Sequence, residues 1–363
     1  MKKVDPFTRT PGLAGDAFID THYADEIIYN FESEKSSKYV YKIVGLRGSG
    51  KSVEYRKIVN AMSDKKGWLV YTLSAGGDPV TTLIAKLSKE SFIDSKKHVT
   101  SVQTGAAVEA GAVIFKGKAD VTVSKTSEEN AMFFSQEATL GEMLREAKDH
   151  GFKVLVGIDD IAKTEEMTKF LSMIGTFLLD EKIEIYFICT GLAKNIEDFA
   201  NEPNLTFFKR SDLVEIKELD KFEIAAMYQR LLDVDSEEAV SLAKFTEGYA
   251  YAYQVLGSLY FNKKSDESTE DLIPEFDKIL FRDSYDLIWK SLTVAERELV
   301  KIIVTSDTGK AADIKAKMKS PSGYDSLRAR LDNKHILDTS LRGYVRIPLP
   351  RFKEYVTLWH GDE

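Results

Sequence analysis

The chain has 363 residues, of which 43% are hydrophobic and 30% charged, and its formal net charge is −8. The length suggests two or three domains, and the composition is typical of a globular protein and excludes a disordered or fibrous one. The single cysteine, Cys189, excludes an internal disulfide framework, and the five scattered histidines argue against a histidine metal site. Without an export signal or a run of ~20 apolar residues, we expect a cytoplasmic protein without membrane contact.

The first half of the chain alternates between predicted helices and strands. The predicted elements in order are a helix at 24–31, a strand at 39–44, a helix at 53–62, a strand at 68–73, a helix at 139–150, a strand at 153–158, a helix at 164–179 and strands at 183–189 and 213–216. Strands that are apolar at every position, such as 154–158, indicate a parallel sheet buried on both faces.

Residues at about 100–128 interrupt this alternation. They alternate in polarity like antiparallel strands, with glycine at the bends, and predict a β-hairpin insertion. Such a hairpin could cover an edge of the sheet or bind a partner, and the sequence leaves both open.

Beyond residue 216 the predicted elements are helical until a C-terminal hairpin. A first group of helices covers 221–232, 236–246, 251–261 and 272–280, and a second covers 294–304, 311–318 and 321–334, followed by a hairpin at 335–348 that turns near 341–343. Three helices and a hairpin indicate a winged helix. The prediction is therefore an α/β sheet domain at 1–216, a helical lid at 217–285 and a winged-helix domain at 286–363.

The loop at residues 45–52, here called the phosphate loop, fits the pattern G-x-x-x-x-G-K-[ST] between a strand and a helix. Glycines let its N–H groups point at phosphates, and the following helix adds the positive end of its dipole. Lys51 would neutralise phosphate charge, and the Ser52 hydroxyl would bind Mg²⁺. A capped glycine turn would explain the turn but not the lysine. The predicted nucleotide-binding residues are Gly45, Leu46, Arg47, Gly48, Ser49, Gly50, Lys51, Ser52 and Val53.

Two acidic residues close the buried strand 153–158. Asp159 is the candidate metal ligand and Asp160 the candidate base that activates water, because nucleotide hydrolysis needs both functions beside the phosphates. Capping of the next helix is the alternative. Thr190 closes the next strand and would lie near the γ-phosphate if the strands have the expected order, although Thr-Gly also makes an ordinary strand exit.

Arg210 and the basic residues of the C-terminal part are further candidates for contacts with phosphates. Arg210 could contact the phosphates of its own or a neighbouring subunit as an arginine finger, or be an ordinary surface arginine. Residues 310–353 carry eleven Lys or Arg against four Asp, a charge of +7 that leaves −15 for the remainder. The winged helix could contact duplex DNA, or it could contact another protein. The candidate DNA-binding residues are Arg328, Arg330, Lys334, Arg342 and Arg346.

With these residues, the chain resembles AAA+ ATPases of the signal-transducing STAND type and the origin-recognition and cell-division-cycle initiator ATPases of archaeal type. More narrowly, it is similar to ATP-binding proteins of Firmicute bacteria. In this resemblance residues 45–52 are the Walker A motif, 158–160 the Walker B motif and 189–191 the sensor 1 region, and Arg210 stands at the arginine-finger position. The resemblance implies ATP or ADP as ligand, with Mg²⁺.

The chain departs from this family at three places. Ile19-Asp20-Thr21 stands where a Gly-Arg pair usually lies near the adenine, and Gly248-Tyr249-Ala250 lacks the proline of the STAND lid. Asp160 replaces the usual glutamate, which leaves slow hydrolysis and a switch that mainly binds nucleotide both open.

The resemblance implies an ATP-dependent switch, in which nucleotide closes the sheet domain against the lid and the winged helix acts on DNA or on an oligomer partner. Two alternatives stay open. One is a DNA-binding regulator or initiator in which ATP is mainly structural, and the other is a STAND scaffold in defence or signalling.

Overall fold

The computed structural model describes residues 4–93 and 125–361, and of residues 125–135 it describes the backbone alone. In this part of the chain five parallel strands form one sheet, in the order β2-β3-β4-β1-β5. The strands are β1 (Val40–Val44), β2 (Trp68–Leu73), β3 (Lys153–Ile158), β4 (Ile185–Gly191) and β5 (Asp212–Glu215). The predicted α/β fold with a parallel sheet is confirmed.

Helices cover both faces of the sheet. They are α1 (Tyr23–Glu32), α2 (Lys51–Ser63), α3 (Pro79–Leu87), α4 (Lys125–Asp149), α5 (Glu165–Leu179), α6 (Ala193–Ala200) and α7 (Thr206–Arg210), with a 3-10 turn at Pro203–Leu205. Two separate hydrophobic clusters, one on each face, pack these helices on the strands. β1 and β4 are buried at every residue, including Lys42 in β1 and Thr190 in β4, and Cys189 is fully buried.

Two parts of the sheet domain differ from the prediction. α4 begins at Lys125, fourteen residues before the predicted start, so the assignment of 125–128 to a hairpin is wrong. The remainder of the predicted hairpin, from 100 to 124, lies outside the described residues. α3 was not predicted, although Asp78 caps its N-terminus and Pro79 is its first residue, which are both local helix-start signals.

The lid contains the helices predicted for it. They are α8 (Lys221–Leu232), α9 (Ser236–Phe245), α10 (Ala250–Asn262) and α11 (Thr269–Leu280), and a five-residue π-helix (Phe281–Tyr285) continues α11 into α12 (Asp286–Lys290). A Ser268 capping box starts α11. The π-helix was not predicted, and such elements occur often at functional sites.

The C-terminal part has the helices and the turn that the sequence indicated. The helices are α13 (Val294–Val304), α14 (Ala311–Lys317), α15 (Tyr324–Asn333) and α16 (Phe352–His360). The predicted third helix is shorter than expected, because Pro321–Gly323 forms a 3-10 turn before α15. Antiparallel bridges at Asp338–Arg346 and Lys310–Tyr344 hold the predicted hairpin at 335–348, here called the wing, and its turn lies at 341–343 as predicted. α16 was not predicted.

One hydrophobic cluster joins the lid to the C-terminal helices. Because these elements share a core, the described lid and C-terminal part pack as neighbours. The predicted domain boundary near residue 285 stays a prediction. None of the helices in the described ranges is long and apolar enough to cross a membrane.

Candidate nucleotide-binding site

The strand order brings three separated sequence segments to one edge of the sheet. β4 lies between β1 and β3, so the phosphate loop after β1, Asp159 after β3 and Thr190 at the end of β4 meet at the carboxyl ends of adjacent strands. In parallel α/β sheets ligands bind at this edge. The sequence spacing between Lys51 and Asp159 therefore does not separate them in space.

Four N–H groups of the phosphate loop have no hydrogen-bond acceptor within the described residues. These are the N–H groups of Gly48, Gly50, Lys51 and Ser52. Gly48 and Gly50 adopt φ angles of 78° and 105°, in the region that favours glycine. Free N–H groups at the start of α2 form an anion site, since they and the helix dipole both favour negative charge.

Lys51 is buried within this loop. Its ammonium group donates to the carbonyl oxygens of Gly45 at 3.0 Å and Leu46 at 2.9 Å. Burial lowers the pKa of Lys51 from 10.5 to about 8. Phosphate oxygens would replace the carbonyls as partners and restore the preference for the charged form.

This pKa predicts a pH dependence of nucleotide affinity. Phosphates bind the charged lysine, so above pH 8 the free protein must take up a proton on binding. We expect a constant affinity near pH 7.5 and a fall approaching tenfold per pH unit above about pH 8. Calorimetric titration with Mg·ADP from pH 7 to 9.5 measures this trend.

The stability of the free protein should change with pH in the direction opposite to nucleotide affinity. Between pH 8 and 10.5 the unfolded chain binds the Lys51 proton more tightly, so the contribution of Lys51 to stability rises with pH while nucleotide affinity falls. An affinity that stays constant from pH 7.5 to 9.5 would contradict the role of Lys51.

Ser52 and Asp159 form a pair of oxygen ligands suited to Mg²⁺. The Ser52 hydroxyl donates to Asp159 Oδ1 across 3.0 Å. Octahedral Mg²⁺ with ligands at about 2.1 Å brings neighbouring ligand oxygens to about 3.0 Å, so this separation fits the ion. The pair would hold Mg²⁺, which in such sites neutralises phosphate charge.

Thr190 is buried and orients the acidic pair. Its hydroxyl donates to Asp159 Oδ1 at 2.5 Å and accepts from the Asp160 N–H at 2.8 Å. Asp160 has φ 56° and is exposed at the phosphate-loop edge of the sheet. In this arrangement Thr190 fixes the turn that presents Asp160, while its hydroxyl is engaged by the acidic pair.

A cavity of about 600 Å³ surrounds these groups, which is within the usual range for ligand sites. The N-terminal segment 8–15 and the lid residues 249–251 form two of its walls, and sequence reasoning missed both contributions. The Pro/Gly-rich composition of the N-terminal segment indicated only a loop. Ile19 and Thr21, at the position where the family usually has Gly-Arg, also line the cavity, whereas Asp20 pairs with Lys57.

Glu54 connects the phosphate-loop helix to the N-terminal wall. This buried carboxylate accepts from the Thr21 hydroxyl at 2.7 Å and from the Ala24 N–H at 3.2 Å, and burial raises its pKa. No sequence pattern distinguished Glu54 from a surface residue of α2.

Comparisons with known proteins agree with the architecture. No protein-family model and no curated protein sequence matches the chain. Among solved structures, the Aeropyrum pernix ORC2 protein, in ADPNP and ADP complexes, superimposes with a TM-score of 0.54 at 11% identity, over 94% of each chain. The chain therefore shares the fold of the ORC2 protein.

Two further structures resemble the chain at lower TM-scores. Cdc6p from Pyrobaculum aerophilum has a TM-score of 0.42 at 12% identity, over 96% of this chain and 98% of its own. The replication initiator DnaA, bound to AMPPCP and single-stranded DNA, has a TM-score of 0.42 at 14% identity, over 96% and 95%. The narrower resemblance to Firmicute proteins stays a prediction.

Arg210 lies at the opposite edge of the sheet. It ends α7 directly before β5, whose first residue pairs with Tyr41 near the start of β1. This is the amino end of the parallel sheet. Arg210 is exposed and is not among the cavity-lining residues, so its position does not support contact with phosphates in its own chain. Contact with a nucleotide in a neighbouring copy stays a prediction.

The five candidate DNA-binding residues differ in whether they form ion pairs within the chain. Lys334 pairs with the buried Glu296 at 2.7 Å, and Arg346 pairs with Asp338 at 2.6 Å. Arg346 also lies 3.5 Å from Glu247 of the lid. Lys334 and Arg346 therefore form ion pairs within the chain. The remaining candidates are Arg328, which is half-buried, and the exposed Arg330 and Arg342.

Asp20, His22 and Asp25 form a cluster with metal-ligand spacing in the described residues. Lys57 lies 2.7 Å from Asp20 and 2.9 Å from Asp25, so each carboxylate has a cationic partner. A surface ion-pair network accounts for this cluster without a metal.

Proposed function

We propose that the protein binds Mg·ATP or Mg·ADP at the phosphate loop and uses the nucleotide to control the contact between its sheet domain and lid. The observation that carries this proposal is the set of unpaired N–H groups around the buried Lys51, beside a cavity that is lined in part by the lid. Ser52 and Asp159 would hold the ion, and Asp160 would activate water. The nucleotides bound to the ORC2 structure support the choice of ligand.

The side chains at this site favour slow hydrolysis of the nucleotide. Asp160 is one methylene shorter than a glutamate, so it reaches less far toward water held at the γ-phosphate. Lys51, Ser52 and Asp159 bind nucleotide whether or not hydrolysis follows. The protein is therefore proposed as a nucleotide-dependent switch whose turnover is limited by Asp160.

Calorimetric titration with ATP and ADP, with and without Mg²⁺, tests the proposal directly. We expect micromolar or tighter binding that Mg²⁺ strengthens, and release of phosphate from ATP measured on the same sample. No heat of binding for either nucleotide would overturn the proposal. Binding without phosphate release would support a nucleotide-dependent switch and contradict hydrolysis.

A second function, DNA binding by the C-terminal part, is favoured by its charge. This part carries +7 over residues 310–353, and Arg330 and Arg342 are exposed on α15 and at the turn of the wing. Phosphate contacts by such residues position a protein on duplex DNA. We propose duplex DNA as the partner, with contacts to another protein as the alternative outcome.

Charge reversal at Arg330 or Arg342 should weaken DNA binding. We expect about a tenfold loss of affinity for each glutamate variant, and a salt dependence reduced by about one phosphate contact, in an anisotropy titration with a labelled duplex. Lys89→Glu, which makes the same charge change on the exposed surface of the sheet domain, is the control. An equal loss in all three variants would indicate net charge alone, and no binding of the wild type at low salt would remove DNA as the partner.

A further inference from the structure

Two residues of the lid donate hydrogen bonds to backbone carbonyl groups of the phosphate loop. The Tyr249 hydroxyl donates to the Arg47 carbonyl oxygen at 2.7 Å, and the Tyr251 N–H donates to the Gly48 carbonyl oxygen at 3.1 Å. Two successive carbonyl groups of the loop are therefore held by two nearby lid residues. We infer that Tyr249 is a positioning residue, through which the lid sets the conformation in which the phosphate loop binds phosphate.

Peptide geometry explains how a contact on one side of the loop acts on the other. In a planar trans peptide the carbonyl and the N–H point in opposite directions. When Tyr249 holds the Arg47 carbonyl toward the lid, the Gly48 N–H of the same peptide is turned away from the lid. This N–H is one of the unpaired donors of the loop. Tyr249 thus orients a phosphate-binding group that it does not touch.

The fit between loop and lid is close. A Cβ at Gly48 would lie 2.3 Å from the Tyr249 hydroxyl oxygen and 3.0 Å from Cβ of Tyr251. Such distances leave no space for a side chain, so residue 48 is glycine for contact with the lid as well as for its φ of 78°. The loop and the lid are complementary at this point.

The π-helix holds both tyrosine side chains in place. Ser284 Oγ lies 2.6 Å from the Tyr249 hydroxyl oxygen, and because Tyr249 gives its proton to a carbonyl, Ser284 must be the donor. The Tyr251 hydroxyl donates to Asp283 at 3.0 Å. Tyr249 and Ser284 are buried, so their hydrogen bonds are shielded from competing water. The irregular turn of the lid thereby presents two adjacent side chains to two tyrosines.

This inference rests on nucleotide binding at the phosphate loop, and its test separates the two. Tyr249→Phe removes the hydroxyl and retains the ring. We expect affinity for Mg·ADP to fall about tenfold by calorimetry, because one buried hydrogen bond that maintains the binding conformation is lost. Ser284→Ala should weaken affinity in the same direction. The double variant should be no weaker than Tyr249→Phe, because both changes disrupt one contact.

Tyr285→Phe is the matched control. Its hydroxyl is also buried and donates to a backbone carbonyl, that of Pro350, which lies outside the loop. Both phenylalanine variants should lower the melting temperature, but Tyr285→Phe should retain wild-type affinity. Equal losses of affinity in both variants, or wild-type affinity in Tyr249→Phe while Lys51→Ala fails to bind, would overturn the role of Tyr249 and leave the proposed function intact. No binding by the wild type would overturn both.

Discussion

Lys51→Ala is expected to weaken Mg·ADP binding at least about 100-fold. The substitution removes a buried ammonium group whose partners in the complex are phosphate oxygens, and losing one member of such a charged contact costs about 3 kcal/mol. Calorimetric titration of wild type and variant at pH 7.5, where Lys51 with its pKa of about 8 is mostly charged, measures the difference. Folding of the variant should be retained, because alanine leaves no buried charge unpaired.

Lys57→Ala provides the control for this experiment. Lys57 lies on the same helix, α2, but pairs with Asp20 and Asp25 and does not line the cavity. Its loss should change nucleotide affinity by no more than about twofold, since exposed ion pairs contribute little. If both lysine variants bind as tightly as wild type, the phosphate loop is not the nucleotide site.

Asp160→Asn is expected to reduce phosphate release at least about 100-fold while nucleotide affinity stays within about twofold. Removing a general base typically costs this much, whereas the binding residues Lys51 and Ser52 are unchanged. Asparagine tolerates the φ of 56° at this position, so the backbone turn should persist. Steady-state phosphate release, with and without duplex DNA, measures the effect.

The matched change Asp180→Asn removes an exposed carboxylate at the end of α5 that does not line the cavity, and should leave turnover unchanged. Wild-type turnover in Asp160→Asn would place the base elsewhere. Turnover that rises with DNA in wild type, and vanishes in Asp160→Asn and Lys51→Ala, would establish coupling between the two proposed functions.

Local patterns predicted most of the sheet domain. The strands 68–73 and 153–158 were predicted with their observed bounds, because a continuous apolar run bounded by polar residues is a local property. The helix predicted at 164–179 agrees with α5, whose N-terminus is capped by Thr164. The early start of α4 was missed because residues 125–138 lack a strong apolar period.

The basic residues of the C-terminal part show where sequence reasoning fails. Lys334 and Arg346 stand on elements that a winged helix uses for DNA, and sequence alone cannot separate them from Arg330. Only the folded chain shows that Lys334 neutralises the buried Glu296 and that Arg346 pairs with Asp338. Charge is a property of the sequence, but whether a charge is free depends on its neighbours in space.

The sequence by itself determined the phosphate loop, because glycines, Lys51 and Ser52 are consecutive and their chemistry requires no distant partner. It also determined the candidate acids Asp159 and Asp160, because they end a strand. Only the tertiary structure decided that β4 lies between β1 and β3, which brings Thr190 onto Asp159, and that Tyr249 reaches the loop from a lid some two hundred residues away. Hydrogen bonds of this kind depend on packing between separate elements, which no local pattern encodes.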